Sequence, residues 1–274
     1  MALSVSSVVL PSLDLAPSAL LVIPCFRESR RLALFLPQLM QALEAHGEVR
    51  VLVVDDGSGV EELQATRQLV EQLRNRYGAL HGLLSLAENR GKGAAVYAGW
   101  SWGQEHFTGL SWLGFVDADG ACSAAEVQRL YAKLPSLPAA VGGLFATRVR
   151  MLGRRVQRLW QRHALGRLFA TGVSVLLGLE AYDTQCGLKW LRSQAYTRVA
   201  SRLACPGFAF DVELIAALVD EGIELQEQPI DWAEVPGGKV RLFRDGLRMG
   251  IELSRIAARR RQWQRSSIAV ILEP

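Results

Sequence analysis

No stretch of this 274-residue chain reaches the roughly 18 consecutive apolar residues of a membrane-spanning helix. Leu168 to Leu179 is too short and Ile268 to Leu272 is shorter still, so an integral membrane protein is not expected. The N-terminus lacks a basic segment, and Asp14 and Pro17 interrupt its apolar residues, which argues against a signal peptide. Cysteine is scarce. Cys25, Cys122, Cys186 and Cys205 form no Cys-x-x-Cys pair, which speaks against a thiol zinc site and fits a reducing compartment. The four histidines show no metal-ligand spacing. Lysine is nearly absent, with four residues against 27 arginines. No internal repeat or low-complexity tract is present, and the Arg-rich regions carry no nucleic-acid-binding motif, so nucleic acid is not an expected partner.

What the chain does have is acid in its first half and base in its second. Residues 1–140 hold 11 basic and 14 acidic side chains, whereas residues 141–274 hold 20 and 13. Two acidic clusters, Val54-Asp-Asp-Gly-Ser58 and Val116-Asp-Ala-Asp-Gly120, each follow a short apolar run rich in branched residues. Runs of that kind, ended by Asp and Gly, read as buried parallel strands. Their carboxylates then sit at strand C-termini, where open α/β sheets bind ligands. Asp117 and Asp119, two residues apart, can share one divalent cation, Mg²⁺ or Mn²⁺, with a ligand's phosphate oxygens. The Gly91-Lys92-Gly93 turn opens a helix and offers backbone donors and one cation to phosphate, unless it is an ordinary helix start with a solvated lysine.

The order of elements predicts an α/β sandwich. Strand 19–23 leads to a helix over about 30–45, and strand 50–54 leads to a helix over 60–76. Strand 82–87 then precedes a helix over 92–106, and strand 112–116 precedes one over 123–134. Strands alternating with helices imply right-handed crossovers and a mostly parallel, Rossmann-like sheet flanked by helices. Residues 1–18 read as a lead-in and 254–274 as a basic tail. Between them lies one domain of residues 19–253, with a first half over 19–140 and a second half over 141–253. From Arg148 to Arg167 there are seven arginines and no acid. Arg155, Arg158 and Arg162 would share one helical face and Leu152, Val156, Leu159 and Trp160 another, the pattern of an amphipathic helix at a membrane surface or of a solvated face packed on the core.

An ordered series of motifs makes the chain resemble the family 2 inverting glycosyltransferases, and within them the polyprenyl-phosphate sugar transferases of the dolichyl-phosphate β-glucosyltransferase kind. The series runs Ile23-Pro-Cys-Phe-Arg-Glu28, Val54-Asp-Asp-Gly-Ser58, Glu88-Asn-Arg-Gly-Lys-Gly93, Asp117-Ala-Asp119, Ala146-Thr-Arg148, Asp183-Thr-Gln-Cys-Gly-Leu-Lys189, Phe208-Ala-Phe-Asp-Val-Glu-Leu214 and Val235-Pro-Gly-Gly-Lys239. It covers roughly residues 19–253, and the two pieces beginning at Asp183 and Phe208 are the most specific. Where the family has Gly-Ser-Arg, this chain has Ala146-Thr147-Arg148, which keeps the cation.

The resemblance implies a glycosyltransferase A-type fold with a basic acceptor-binding lobe. It implies transfer of a hexose, glucose first and from UDP-glucose, to a polyprenyl phosphate with inversion and metal assistance; a saccharide acceptor is the alternative. Pro24, Phe26, Glu28, Asp56, Gly91, Lys92 and Asp117 would bind the donor, with Asp56 and Glu28 on the nucleoside and Asp55 orienting the loop. Asp117 and Asp119 would hold the metal. Asp183, Gln185 and Lys189 would lie near the donor sugar and diphosphate, while Asp211 and Glu213 would be either a general base or partners of nearby cations. Arg148, Arg162 and Lys239 would bind the acceptor, because arginine's planar fork suits a phosphate. The expected partners are a nucleotide sugar, a polyprenyl phosphate lipid and an anionic membrane surface. The expected location is the cytoplasm, peripheral on the cytoplasmic membrane face.

Overall fold

The computed structural model describes residues 17–157, 171–236 and 242–272, with side chains at 249–264 in the last segment. The branched, apolar runs form strands. β1 (Ala19–Cys25), β2 (Val49–Asp55) and β4 (Trp112–Val116) are buried along their length, apart from a half-buried Pro24. Helices α1 (Ser29–Leu43), α2 (Val60–Arg74), α3 (Lys92–His106) and α4 (Ala124–Tyr131) alternate with them and with β3 (Leu80–Ser85). Beyond α4 come β5 (Val141–Thr147), β6 (Val156–Gln157), a helix α5 described over residues 171–177, β7 (Leu188–Arg192) and α6 (Ser193–Val199). The chain continues through α7 (Phe210–Asp220), β8 (Glu224–Pro229), β9 (Trp232–Ala233) and α8 (Leu242–Leu272).

Seven strands make one sheet in the order β3-β2-β1-β4-β7-β5-β8. β1, β2, β3 and β4 run parallel, as do β5 and β8, and β7 alone is antiparallel to both its neighbours. Strands from both halves of the chain therefore share one sheet. Side chains alternate across it, so Ala19, Leu21 and Ile23 of β1 join a core with α1 and α4, while Leu20 and Val22 join a second core with α3, α7 and α8. Trp100 is fully buried in that second core and donates from its indole N–H to the Gly114 carbonyl at 2.9 Å. The position 253/254, where a tail is expected, falls inside α8, and Leu253, Ile256 and Ala257 of that helix are buried.

One expectation fails here. Residues 151–157 do not begin an amphipathic helix: 151–155 form a turn and loop, and Val156–Gln157 is a strand parallel to β9. Gly153 sits at φ +81°, outside helical space. The Arg155 N–H donates to Asp231 Oδ1 at 2.9 Å, and the Trp232 N–H donates to the Arg155 carbonyl at 2.9 Å. Arg155 is therefore the anchor of a two-stranded ribbon. Arg158, Leu159, Trp160 and Arg162 lie outside the described residues.

Candidate active site

Strand direction gathers the motifs on one edge. β1, β2 and β4 deliver Phe26, Asp56 and Asp117 from their C-terminal ends, and β1 lies between β2 and β4, so the order reverses there. β5 runs parallel to β4 and brings Arg148 to the same edge. Because β7 is antiparallel, its N-terminal end lies there too, with Leu188 opposite Val116. The Asp183–Gly187 turn therefore meets Asp117. The Asp117 N–H donates to the Gly187 carbonyl at 2.9 Å. A Cβ at Gly187 would lie 2.0 Å from Asp117 Oδ2, so only glycine leaves room for that carboxylate.

Four charged side chains form a ladder beneath the edge. Lys189 is 1% exposed, donates to the Cys186 carbonyl at 2.7 Å and pairs with Asp211 Oδ1 at 2.7 Å. Asp211 Oδ2 lies 4.0 Å from Lys92 Nζ, which pairs with Asp117 Oδ1 at 2.6 Å. Burial disfavours the Lys92 ammonium, but Asp117 and Asp211 outweigh it and raise its pKa. Burial raises the Asp211 carboxyl despite Lys189 and Lys92. Of the two roles expected for Asp211, its surroundings display that of a buried partner of Lys189 and Lys92. Glu213 is likewise fully buried, accepting from the Ala204 and Cys205 N–H groups at 2.8 and 2.6 Å and from Arg259 of α8.

Asp117 and Asp119 fit a hard divalent cation. Both are oxygen donors at a strand end, and burial first, then the charge of Asp117, raises the Asp119 carboxyl. A cation between them would relieve that repulsion. Among the described residues no third His, Cys, Asp or Glu joins them, so other positions on such an ion would fall to water and ligand phosphate. Arg31 backs the pair: it is bound to Glu28 through Nε at 2.5 Å, and its Nη1 is buried 3.6 Å from Asp119 Oδ2. Glu28 thus orients Arg31 toward the carboxylates.

A cavity of about 370 Å³ opens beside this ladder, large enough for a small ligand. Pro24, Phe26, Asp56, Gly91 and Lys92 line one side, and Phe208, Met249 and Glu252 line another. Asp56 is committed to the turn after β3. Its Oδ1 accepts from the Arg90 N–H at 2.8 Å, and its Oδ2 accepts from the Gly91 N–H at 2.8 Å and Asn89 Nδ2 at 2.9 Å. Burial raises this carboxyl and those backbone donors oppose it. The loop-orienting task expected of Asp55 is shared: Asp55 Oδ2 accepts from the Ser58 N–H at 3.0 Å, while Asp56 fixes the neighbouring turn. Gly91 has φ +104°, and a Cβ there would lie 2.4 Å from the Pro206 carbonyl oxygen, so the 206–208 loop can close over the start of α3.

The expected acceptor arginine has another partner. Arg148 Nε and Nη2 grip Asp183 at 2.6 and 2.8 Å, and the Arg148 N–H also reaches Asp183 Oδ2 at 3.1 Å. Burial alone would raise the Asp183 carboxyl, but Arg148 overrides it and holds the group at about 2. The planar fork read as a phosphate clamp therefore fixes the Asp183 turn. Asp183 Oδ1 also accepts from the Gln185 N–H at 3.1 Å. Gln185 Nε2 and Thr184 Oγ1 are buried with no hydrogen-bond partner among the described residues, which leaves the turn with unmet polar capacity. Burial pushes the Cys186 thiol up to about 12, so it packs as a thiol. Lys239, like Arg162, lies outside the described residues.

Phe208 and Asn89 sit in motifs visible in the sequence, but nothing there gave them a role. Met249 and Glu252 come from α8 and carried no signal at all.

Residues 20–197 match the sequence model of the family described as Glycosyl transferase family 2. The chain belongs to glycosyl transferase family 2. This glycosyltransferase is 30% identical over 245 residues to the dolichyl-phosphate β-glucosyltransferase of Saccharomyces cerevisiae, covering 85% of this chain and 72% of that one. It is 31% identical over 259 residues to the dolichyl-phosphate β-glucosyltransferase of Mus musculus, covering 89% and 76%. In fold it is similar to glucosyl-3-phosphoglycerate synthase from Mycobacterium tuberculosis in complex with Mn²⁺, UDP-glucose and phosphoglyceric acid. That likeness has a TM-score of 0.63 at 14% identity and covers 88% of this chain and 80% of that one.

Proposed function

We propose that this glycosyltransferase moves glucose from UDP-glucose to the phosphate of a polyprenyl lipid, with inversion at the anomeric carbon. The observation that carries the reading is the identity of about 30% with dolichyl-phosphate β-glucosyltransferases across most of both chains. The site supports it. Residues 19–140 provide the nucleotide-sugar half, where Pro24, Phe26 and Gly91 line the donor cavity, Asp56 holds its turn and Glu28 holds Arg31. Residues 141–253 provide the acceptor half, with Arg148 fixing Asp183 so that Gln185 and Thr184 face the donor sugar. Asp117 and Asp119 would hold Mg²⁺ or Mn²⁺, which would supply Lewis-acid neutralisation of the diphosphate. Lys92 adds a positive charge beside the leaving phosphates, and Lys189 and Asp211 hold it in place from below.

An oxygen of the acceptor phosphate attacks the anomeric carbon from the face opposite the diphosphate. The new C–O bond forms as the bond to the β-phosphate oxygen breaks and UDP departs. A phosphate monoester is already anionic at neutral pH, with its second pKa near about 6, so no general base is required. Catalysis consists of positioning and electrostatics.

The enzyme attaches peripherally at the cytoplasmic membrane face. No helix among the described residues is long and apolar enough to cross a membrane, and Met151, Leu152, Val175 and Leu176 are exposed apolar side chains in the basic half. No disulfide links the four cysteines, in keeping with a reducing compartment.

The test is to incubate the purified protein with labelled UDP-glucose, polyprenyl phosphate and Mn²⁺ or chelator, then extract the lipid and determine the anomeric configuration. β-Linked label in the lipid, lost in chelator, is the expected result. Label appearing in a saccharide acceptor but never in the lipid overturns the acceptor assignment.

A further inference from the structure

The two lysines of the charge ladder are not alike. Lys189 is enclosed on all sides, with its ammonium shared between the Cys186 carbonyl and Asp211. Lys92 is the first residue of α3, its side chain is 15% exposed, and it lines the donor cavity. Its ammonium lies 5.0 Å from the Phe115 ring centroid and 5.6 Å from that of Phe210, a socket that tolerates a cation in more than one place. Two carboxylates compete for it. Asp117, at 2.6 Å, is on the open side with its side chain 37% exposed, and Asp211, at 4.0 Å, is on the closed side with its other oxygen already held by Lys189.

The contact with Asp117 is the informative one. A divalent cation bound by Asp117 and Asp119 would need carboxylate oxygens at about 2.0–2.6 Å, and one of these oxygens already carries an ammonium. The two cations compete for the charge of that carboxylate, and their mutual repulsion is strong in a partly buried site. We propose that Lys92 is a built-in placeholder for the divalent cation. Without nucleotide it closes Asp117 to metal, and a nucleoside diphosphate draws the ammonium off Asp117 and opens the site. Lys92 then keeps Asp211 as its anchor and gains the diphosphate oxygens, while Asp117 turns to the metal. Metal and donor therefore load together, and the site does not fill with cation alone. This inference rests on the reading that Asp117 and Asp119 are the metal carboxylates.

The experiment is a Mn²⁺ titration of the full chain followed by the electron paramagnetic resonance signal of the free ion, with and without UDP. Wild type should bind Mn²⁺ weakly alone and tightly with UDP. Lys92→Met should bind Mn²⁺ without UDP at least about tenfold more tightly than wild type, the direction set by removing a like charge from the site. Lys92→Arg, which keeps the charge, should remain as weak as wild type. Lys92→Met combined with Asp211→Asn preserves the sum of formal charges around Lys189. A gain there as well assigns the effect to occupancy of Asp117 and not to net charge, and it serves if the single variant folds poorly. Nucleotide-free binding by both the single and the double variant no tighter than wild type overturns the placeholder, while UDP-dependent binding in wild type leaves the metal reading intact. Absence of Mn²⁺ binding in every variant, even with UDP, overturns both.

Discussion

At the scale of single residues, the most constrained position of the site carries no functional group. Gly187 closes the Asp-Thr-Gln-Cys-Gly turn, and its missing Cβ is what lets the Asp117 carboxylate stand where it does. An alanine there would put a methyl 2.0 Å from Asp117 Oδ2 and 2.3 Å from its Cγ, so the carboxylate or the turn must move by about an ångström. Displacements of that size in a catalytic group cost about 10²-fold in rate, and overpacking costs about 1–3 kcal/mol in stability. Gly187→Ala should therefore lose about 10²-fold in glucose transfer and lower the denaturant midpoint. The two side chains are in direct conflict, so their effects should not add. In an Asp117→Ala background the same substitution should cost well under half as much stability. Denaturant unfolding of the four proteins of this cycle decides it, and an equal cost in both backgrounds would show that Gly187 is needed for some other neighbour. Arg148 shows the same dependence on a distant neighbour. Its residue type suggested a phosphate clamp, yet a buried arginine takes whatever carboxylate lies in reach, and Asp183 is there at 2.6 Å.

At the scale of elements, the first half of the fold was legible because β1, β2 and β4 are almost wholly buried and α1 and α4 each turn one apolar face to the core. The helix at 92–106 and the strand at 112–116 fall where the sequence puts them, and the other early elements shift by only a few residues. The second half was not, for two physical reasons. β7 reverses direction, which no local pattern announces, and 151–157 have a helical spacing of apolar residues that Gly153 and the pairing with β9 override. Buried polar partners were equally invisible, because Glu213 meets Arg259 across 46 positions and Asp56 meets Arg90 across 34. The packing of β3 against α3 gives a test of its own. His81 of β3 lies 4.8 Å from the Trp102 ring and 5.1 Å from that of Phe107. Burial, and then the charges of Arg74 and Arg50, push its imidazole down to about 4. The unfolded chain takes up that proton near about 6.5, so His81 contributes stability that is complete above that pH and is lost as pH falls from there toward 4. One proton sets a ceiling of about 1.4 kcal/mol per pH unit, and partial solvent screening lowers the total to about 1–2 kcal/mol. His81→Phe keeps a ring against Trp102 and Phe107 and should flatten stability measured between pH 6.5 and 4.5 relative to wild type. Parallel pH profiles for the two proteins would remove His81 as the source.

At the scale of the whole molecule, charge and apolar exposure are divided along the chain. Residues 1–140 are mildly acidic, whereas residues 141–274, which include the half assigned to the acceptor, carry 20 basic against 13 acidic side chains. Leu152, in the loop before β6, is 98% exposed, and Met151 beside it is more than half exposed. Single exposed apolar residues are common, but a pair of them within a run of seven arginines and no acid is suited to an anionic lipid surface. A polyprenyl phosphate sits in such a surface, so the proposed reaction requires the enzyme to reach it. Attachment of that kind has an electrostatic part and an apolar part, and the two separate experimentally. Salt should weaken the first, because the Debye length falls from about 10 Å at 0.1 M to about 3 Å at 1 M. Substitution should weaken the second. The protein should therefore sediment with vesicles containing anionic phospholipid at low salt, stay in solution with vesicles of zwitterionic lipid, and be largely released at 1 M salt. Met151→Ser combined with Leu152→Ser should reduce sedimentation at low salt while leaving UDP binding, measured by calorimetry, unchanged, because neither side chain lines the donor cavity. Sedimentation that resists salt but yields to detergent would place the attachment in apolar contact alone. Equal sedimentation of the double variant would move the contact away from this loop, and a protein that never sediments with anionic vesicles would leave the lipid acceptor without a route to the site.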